Sequence, residues 1–323
     1  MRLLCSVLLW LAVSAAMAAD DDEILRRLAE KARRSVLAGE HEEAVGRYET
    51  ITRLKPGTDL SAAAWWEISR LHEKLGNMQE SFDALQMLVT GQPGHFEKAH
   101  AEQWRLVRRM LDNLAEHDRR ARLQGQKPPK LVQADKEALL EMMGVICRNG
   151  PHSEAAVQAH FARAMFMERE GRTEEALNQH EEFLELYPEH ELADDAACQT
   201  AYIRYKQWRG MRGDAPRQRQ AAQDALNWFL TRYPESERAS LAFTCLREMQ
   251  AAERRELESV ARFYESRGKP EAARLYYRKL AEMNPELLKD DGPLRAKLLE
   301  AIQRDPAAGV PVLGAERSRT PKK

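Results

Sequence analysis

A glycine, a small residue five positions later and a proline twelve positions after that recur along this chain, and no other feature restricts its fold as much. Gly39, Ala44 and Pro56 form the first instance, Gly76, Ser81 and Pro93 the second, Gly171, Ala176 and Pro188 the third, and Gly268, Ala273 and Pro285 the fourth. A further unit lacks the glycine but keeps Ala222 twelve residues before Pro234. Fixed-period self-similarity of this kind marks stacked supersecondary units. Each mark has a physical job: glycine permits a tight turn, the small residue lets two helices approach, and proline stops the second helix. Between the marks the apolar spacing is helical, as in Leu257, Val260, Ala261 and Tyr264, or Ala273, Tyr277 and Leu280. Each unit is therefore expected to be a pair of antiparallel helices.

Composition agrees with an all-α chain. Gly and Pro together number 30 of 323 residues, and Ile and Val together only 18, too few for a large sheet. Lysine and arginine (50) balance aspartate and glutamate (51), so the basic excess of a nucleic-acid binder is missing. With 43% hydrophobic and 31% charged residues, the chain can bury a core beneath a charged surface, which fits neither disorder nor a polytopic membrane protein.

The segment Leu257-x-x-Val260-Ala261-x-x-Tyr264, followed by Gly268, Ala273, Tyr277 and Pro285, resembles the tetratricopeptide repeat (TPR) family, which implies an all-α, TPR-like helical repeat solenoid of antiparallel helix pairs. Lys31 and Arg163 stand at first-helix positions that this family usually fills with apolar residues. Tyr187-Pro188 with Ala193 is echoed 46 residues later by Tyr233-Pro234 with Ala239. With Ala193-Asp194-Asp195-Ala196 and the run from Ala261 to Gly268, this echo makes Glu154 to Pro285 similar to the BamD family of outer-membrane assembly lipoproteins. A weaker likeness is to the CpoB family, periplasmic coordinators of envelope constriction and peptidoglycan synthesis. The resemblance implies a non-enzymatic periplasmic scaffold that binds envelope proteins or extended peptide segments, with peripheral contact to outer-membrane components.

Four segments are expected. Residues 1–18 read as a secretory signal peptide: Arg2 precedes 17 uncharged residues, Leu3 to Ala19, ending in Ala16-Met17-Ala18. Residues 19–150 would hold the first repeats with an irregular third unit, built from helices at about His95 to Leu123 and Asp135 to Arg148 around the Pro128-Pro129 break. Residues 151–290 would hold the BamD-like repeats, and 291–323 a short helix and a flexible tail. A lipidation cysteine would follow the apolar run, but Cys5 lies ahead of most of it, so no lipid anchor is expected. Cys198 and Cys245, at nearly equivalent places after their Tyr-Pro prolines, are expected to be reduced and buried.

No phosphate loop, nucleophile elbow or helical zinc motif occurs, and His95 and His100, five apart, do not share a helix face. No catalytic residue, metal or cofactor is assigned. Acidic pairs such as Glu181-Glu182 read as solvated helix faces, and the basic segments Arg119 to Lys130 and Lys206 to Arg219 as solvated loops. A stack of helix pairs offers a concave groove lined by first-helix side chains. The repeat register places Trp66 and Arg70 on that face in the second unit, Phe161 and Met165 in the fourth, and Arg262 in the sixth. Aromatic and arginine side chains are frequent interface anchors. Trp65, beside Trp66, occupies the large core position.

Overall fold

The computed structural model describes residues 23–127, 131–211, 216–289 and 292–303. The expected signal peptide, the Pro128-Pro129 break and the tail from Asp305 onward lie outside these residues. No strand occurs among them. The chain is an all-α, TPR-like stack of antiparallel helix pairs: α1 (23–38) with α2 (His41–Leu54), α3 (Asp59–Leu75) with α4 (Met78–Gly91), α5 (Phe96–Leu123) with α6 (Gln133–Asn149), and α7 (Glu154–Arg169) with α8 (Thr173–Leu186). There follow α9 (Ala193–Gly210), α10 (Pro216–Arg232), α11 (Ala239–Ser266), α12 (Pro270–Met283) and the short α13 (Pro293–Gln303).

All three sequence marks perform the tasks expected of them. Gly39, Gly76, Gly171 and Gly268 each adopt the left-handed conformation, with φ of 81°, 84°, 78° and 66°. In each turn the N–H of the next residue donates to a carbonyl five residues back: Glu40 to Ser35 at 2.9 Å, Asn77 to His72 at 2.9 Å, Arg172 to Met167 at 2.9 Å and Lys269 to Tyr264 at 3.0 Å. That bond closes the first helix of the pair and reverses the chain within three residues. The small residues Ala44, Ser81, Ala176, Ala222 and Ala273 are all buried. Their partners one helix earlier, Ala32, Ser69, Ala164 and Ala261, are buried as well, which is what lets the paired helices approach closely.

Each proline ends its helix two residues early. α2, α4, α8, α10 and α12 stop at Leu54, Gly91, Leu186, Arg232 and Met283, ahead of Pro56, Pro93, Pro188, Pro234 and Pro285. The residue before proline is forced out of the helical region, as at Lys55 (φ −135°, ψ 68°) and Asn284 (φ −135°, ψ 70°). Its N–H still donates to the carbonyl four residues back, and that acceptor residue points inward: Ile51, Leu88, Phe183, Phe229 and Leu280 are all buried.

Two compact units divide at Ala196/Ala197. The chain is fastened across the α6–α7 turn, where the sequence reading passes from the first repeats to the BamD-like ones. His100 on α5 holds the α6–α7 turn, with Nε2 2.9 Å from the Ile146 carbonyl and Nδ1 3.2 Å from Ser153 Oγ. A Cβ on Gly150 would lie 3.1 Å from both the His100 and Phe96 rings, so any larger residue would have to push both rings back by a few tenths of an ångström. Tyr187 Oη donates to the Pro151 carbonyl at 2.7 Å from the far side. In the first unit one core cluster joins α1 to α3 through Leu25, Tyr48, Ile51 and Ile68, and a second joins α3 to α5 through Leu85 and Leu88. In the second unit Leu257, Tyr277, Leu280 and Leu298 join α11, α12 and α13. Cys198 and Cys245 are buried in this unit, and Cys147 in the first is half-buried. No helix among the described residues is long and apolar enough to cross a membrane.

Candidate partner-binding groove

In the first unit, the first helices of successive pairs, α3, α5 and α7, form one continuous face. α5 is tied to α3 by Glu73, whose carboxylate receives Arg105 Nη2 at 2.8 and 2.9 Å and also Arg109. α5 is tied to α7 by Trp104, whose Nε1–H donates to Gln158 Oε1 at 2.7 Å, and by a bidentate ion pair, Arg169 Nε and Nη2 to the two oxygens of Asp118, each at 3.0 Å. A carboxylate as buried as Asp118 is tolerated because that fork satisfies both oxygens. Lys136 on α6 pairs with Glu170 at 2.6 Å, and Glu170 also meets Arg169, so the network runs on to α6.

Above this network lies a slot of about 420 Å³ between α5 and α7. Leu111, Leu114 and Ala115 form one wall, and Phe161, Ala162 and Met165 the other. Its size falls in the range of about 300–1,000 Å³ typical of ligand pockets. The polar groups at its base are consumed by each other, so the rest of the lining is hydrocarbon and aromatic. A second hollow of about 360 Å³ opens farther along the same unit, between α1 and α3, over Tyr48 and Ile51.

The five residues expected on the groove are distributed unevenly. Phe161 and Met165 both line the slot. Phe161 is held edge-on by His180 and Phe183, with ring centroids 5.7 and 5.8 Å away, which fixes its rotamer. Trp66 is half-buried against the cluster containing Leu85 and Leu88; its Nε1–H donates to His95 Nδ1 at 3.4 Å, and Lys98 Nζ sits 4.9 Å from its ring centre. Arg70 is exposed and pairs with Glu67 at 3.3 Å. Arg262 belongs to the second unit, exposed and paired with Glu258. Trp65 packs against both core clusters flanking α3.

Leu111, Leu114, Asp118 and Arg169 were not legible as site residues. The α5–α6 pair carries no glycine-to-proline mark, so nothing in the sequence set the rotation of α5. Parts of the two basic segments read as loops are helical: Arg119 to Leu123 complete α5, Lys206 to Gly210 complete α9, and Pro216 to Arg219 open α10. Ion pairing supports those turns, Arg119 and Arg120 converging on Glu116 at 2.9 and 2.8 Å, and Arg219 reaching Glu253 at 3.6 Å and Glu256. Among the described residues no group of three or more His, Cys, Asp or Glu is placed to hold a metal ion.

Residues 132–297, from just before α6 into α13, match the YfiO family, described as outer membrane lipoproteins, over slightly more than half of the chain. The chain belongs to the YfiO family. α7, with Phe161 and Met165, lies inside the matched segment, whereas α5, the opposite wall of the slot, lies before it. The family is the one whose envelope-assembly members the Tyr-Pro echo resembles. Among solved structures, the chain is similar to YrrB, a TPR protein with an unusual peptide-binding site (15% identity, 67% of this chain and 90% of that one, TM-score 0.33). It is also similar to pilF of Pseudomonas aeruginosa (10%, 87% and 98%, TM-score 0.30) and to a tetratricopeptide repeat protein of Parabacteroides merdae (14%, 85% and 98%, TM-score 0.33). No curated protein matches the chain.

Proposed function

We propose that this protein is a non-enzymatic periplasmic scaffold that binds other envelope proteins through the first-helix face of its repeats, and that it serves outer-membrane protein assembly or envelope maintenance. The observation that carries this reading is the apolar slot between α5 and α7, where Phe161 and Met165 stand opposite Leu111 and Leu114. An open hydrocarbon-lined concavity on a stack of helices is costly to leave hydrated and suits capture of a partner's side chains. Membership of a family of outer membrane lipoproteins supports the compartment.

In this reading residues 1–18 are a cleaved export signal, and the mature chain carries no lipid, since Cys5 precedes most of the apolar run. Attachment to the outer membrane would then run through protein partners. The experiment is affinity capture from chemically cross-linked envelopes, comparing wild type with Met165→Glu. Recovery of outer-membrane or periplasmic proteins by wild type, reduced at least tenfold by the substitution, is the expected result. Equal recovery by both proteins would remove the slot as the site of capture, and recovery of cytosolic proteins alone would remove the compartment.

A further inference from the structure

Beyond being apolar, the slot has direction. A third hollow, about 460 Å³, shares Ala115 and Asp118 with it and continues past Arg119, Arg122 and Leu123. From Leu111 to Arg122 the lining follows α5 for three turns, roughly 16 Å at about 1.5 Å per residue. One end of this track is hydrocarbon. The other is lined by the cations Arg119, Arg122 and Arg169 against the single carboxylate Asp118, with Arg120, Lys136, Glu116 and Glu170 joined to them by ion pairs. Asp118 is committed to Arg169, Glu170 to Arg169 and Lys136, and Glu116 is shared by two arginines. The far end is therefore left with excess positive charge, next to Leu123, which is 81% exposed.

Resting on the scaffold reading above, we propose that the α5–α7 track receives an amphipathic helix of a partner protein, its apolar stripe in the slot and a carboxylate-rich end against Arg119 and Arg122. A helix suits the track because both walls are helices whose backbone groups are already paired internally. An extended strand would find no ladder here, whereas a helix satisfies its own backbone and presents apolar side chains at i, i+4 and i+7 over the three turns of α5. Charge complementarity fixes which way round it lies and which helices are rejected. One wall precedes the segment shared with the YfiO family, so this preference belongs to α5 of this chain and not to the matched repeats.

The test is fluorescence anisotropy on the full chain with two designed, labelled 15-residue helical peptides. Both carry leucine at i, i+4, i+7 and i+11; one bears glutamates around the end expected at Arg119 and Arg122, and the other bears lysines there. The acidic peptide is expected to bind at least tenfold more tightly at low salt, and added salt should narrow the difference. Reversing the charges in the double variant Arg119→Glu/Arg122→Glu, on exposed positions that leave the core untouched, should abolish the preference. Ala115→Trp, which fills the slot from an exposed helix position, should abolish binding of both peptides while the helical circular-dichroism signal stays unchanged. Equal binding of the two peptides, tighter binding of the lysine peptide, binding of neither, or acidic-peptide binding unaffected by Ala115→Trp would overturn the inference. In any of those cases, Met165-dependent capture of envelope proteins would still stand or fall by its own measurement.

Discussion

Ser81 Oγ donates to the Ser69 carbonyl at 2.9 Å and lies 3.0 Å from Ser69 Oγ, at the point where the helices of the second pair come closest. In three other pairs the equivalent residues are both alanine: Ala32 and Ala44, Ala164 and Ala176, Ala261 and Ala273. The helix pair thus accepts only minimal side chains here, and where they are hydroxyls the two satisfy each other. Ser81→Ala alone leaves the Ser69 hydroxyl without its acceptor and should cost about 1 kcal/mol, while Ser69→Ala/Ser81→Ala should return close to wild type. Ala176→Leu and Ala273→Leu overpack the same junction and should each cost about 1–3 kcal/mol. Urea midpoints at constant slope measure all four; unchanged midpoints for the leucine variants would contradict the close approach.

The fourth pair carries an acid-sensitive core. His180 stands eight residues before its proline, where other pairs have Tyr48, Leu85, Leu226 and Tyr277, and it is fully buried. Neither of its ring nitrogens has a hydrogen-bond partner among the described residues. Burial, with a smaller push from His160, lowers His180 to about 4. Burial also lowers His160, an effect that Glu182, 3.8 Å away, partly offsets. Both imidazoles therefore fold neutral. Above pH about 6.5 neither state is protonated and stability is full; below it the unfolded chain binds protons that the folded chain refuses, and stability falls until His180 titrates near pH 4. The loss attributable to His180 is on the order of 3 kcal/mol, at about 1.4 kcal/mol for each tenfold change in proton affinity. His180→Leu should raise the thermal midpoint more at pH 5 than at pH 8. An equal gain at both would show that this histidine is not the source.

The thiols should be slow to react. Burial pushes Cys147 up to about 11, and Cys245 is raised by burial and by Glu248. Thiolate is the reactive form, so an aromatic disulfide reagent at pH 7.5 should label the native protein slowly and three thiols of the mature chain quickly once it is unfolded. Fast labelling of the native protein, or fewer than three thiols after unfolding, would contradict this.

The export reading is tested by intact mass. Protein extracted from envelopes should have the mass of a chain beginning at Ala19, with no added lipid. A mass that includes Met1, or an acyl modification on Cys5, would overturn it.

How much of this was legible in the sequence depended on where the marks fell. Gly39, Gly76, Gly171 and Gly268 fixed four turns because only glycine takes that backbone at little cost. They also set the register that put Phe161 and Met165 on the lined face. α5 has no such mark, and its 28 residues could be rotated freely against the pattern, so Leu111, Leu114 and Asp118 went unseen. Asp118 and Arg169 are 51 residues apart, and no local spacing announces a pair made by tertiary packing. The contacts around the α6–α7 turn were hidden for a similar reason: His100 and Tyr187, which clasp it, come from 46 and 36 residues away. His180 was passed over because a histidine inside a charge-rich helix looks solvated until the phase set by Pro188 turns it inward.

The central claim is that partners are captured on the first-helix face beside α5 and not elsewhere on the repeat. Site-specific photo-cross-linking in living cells addresses it directly, with a photoreactive residue placed either at Met165 in the slot or at Asn178, exposed on α8 of the same pair. The account predicts a discrete adduct with an envelope protein from position 165 and none from 178. Adducts of equal yield at both positions, or at 178 alone, would contradict it.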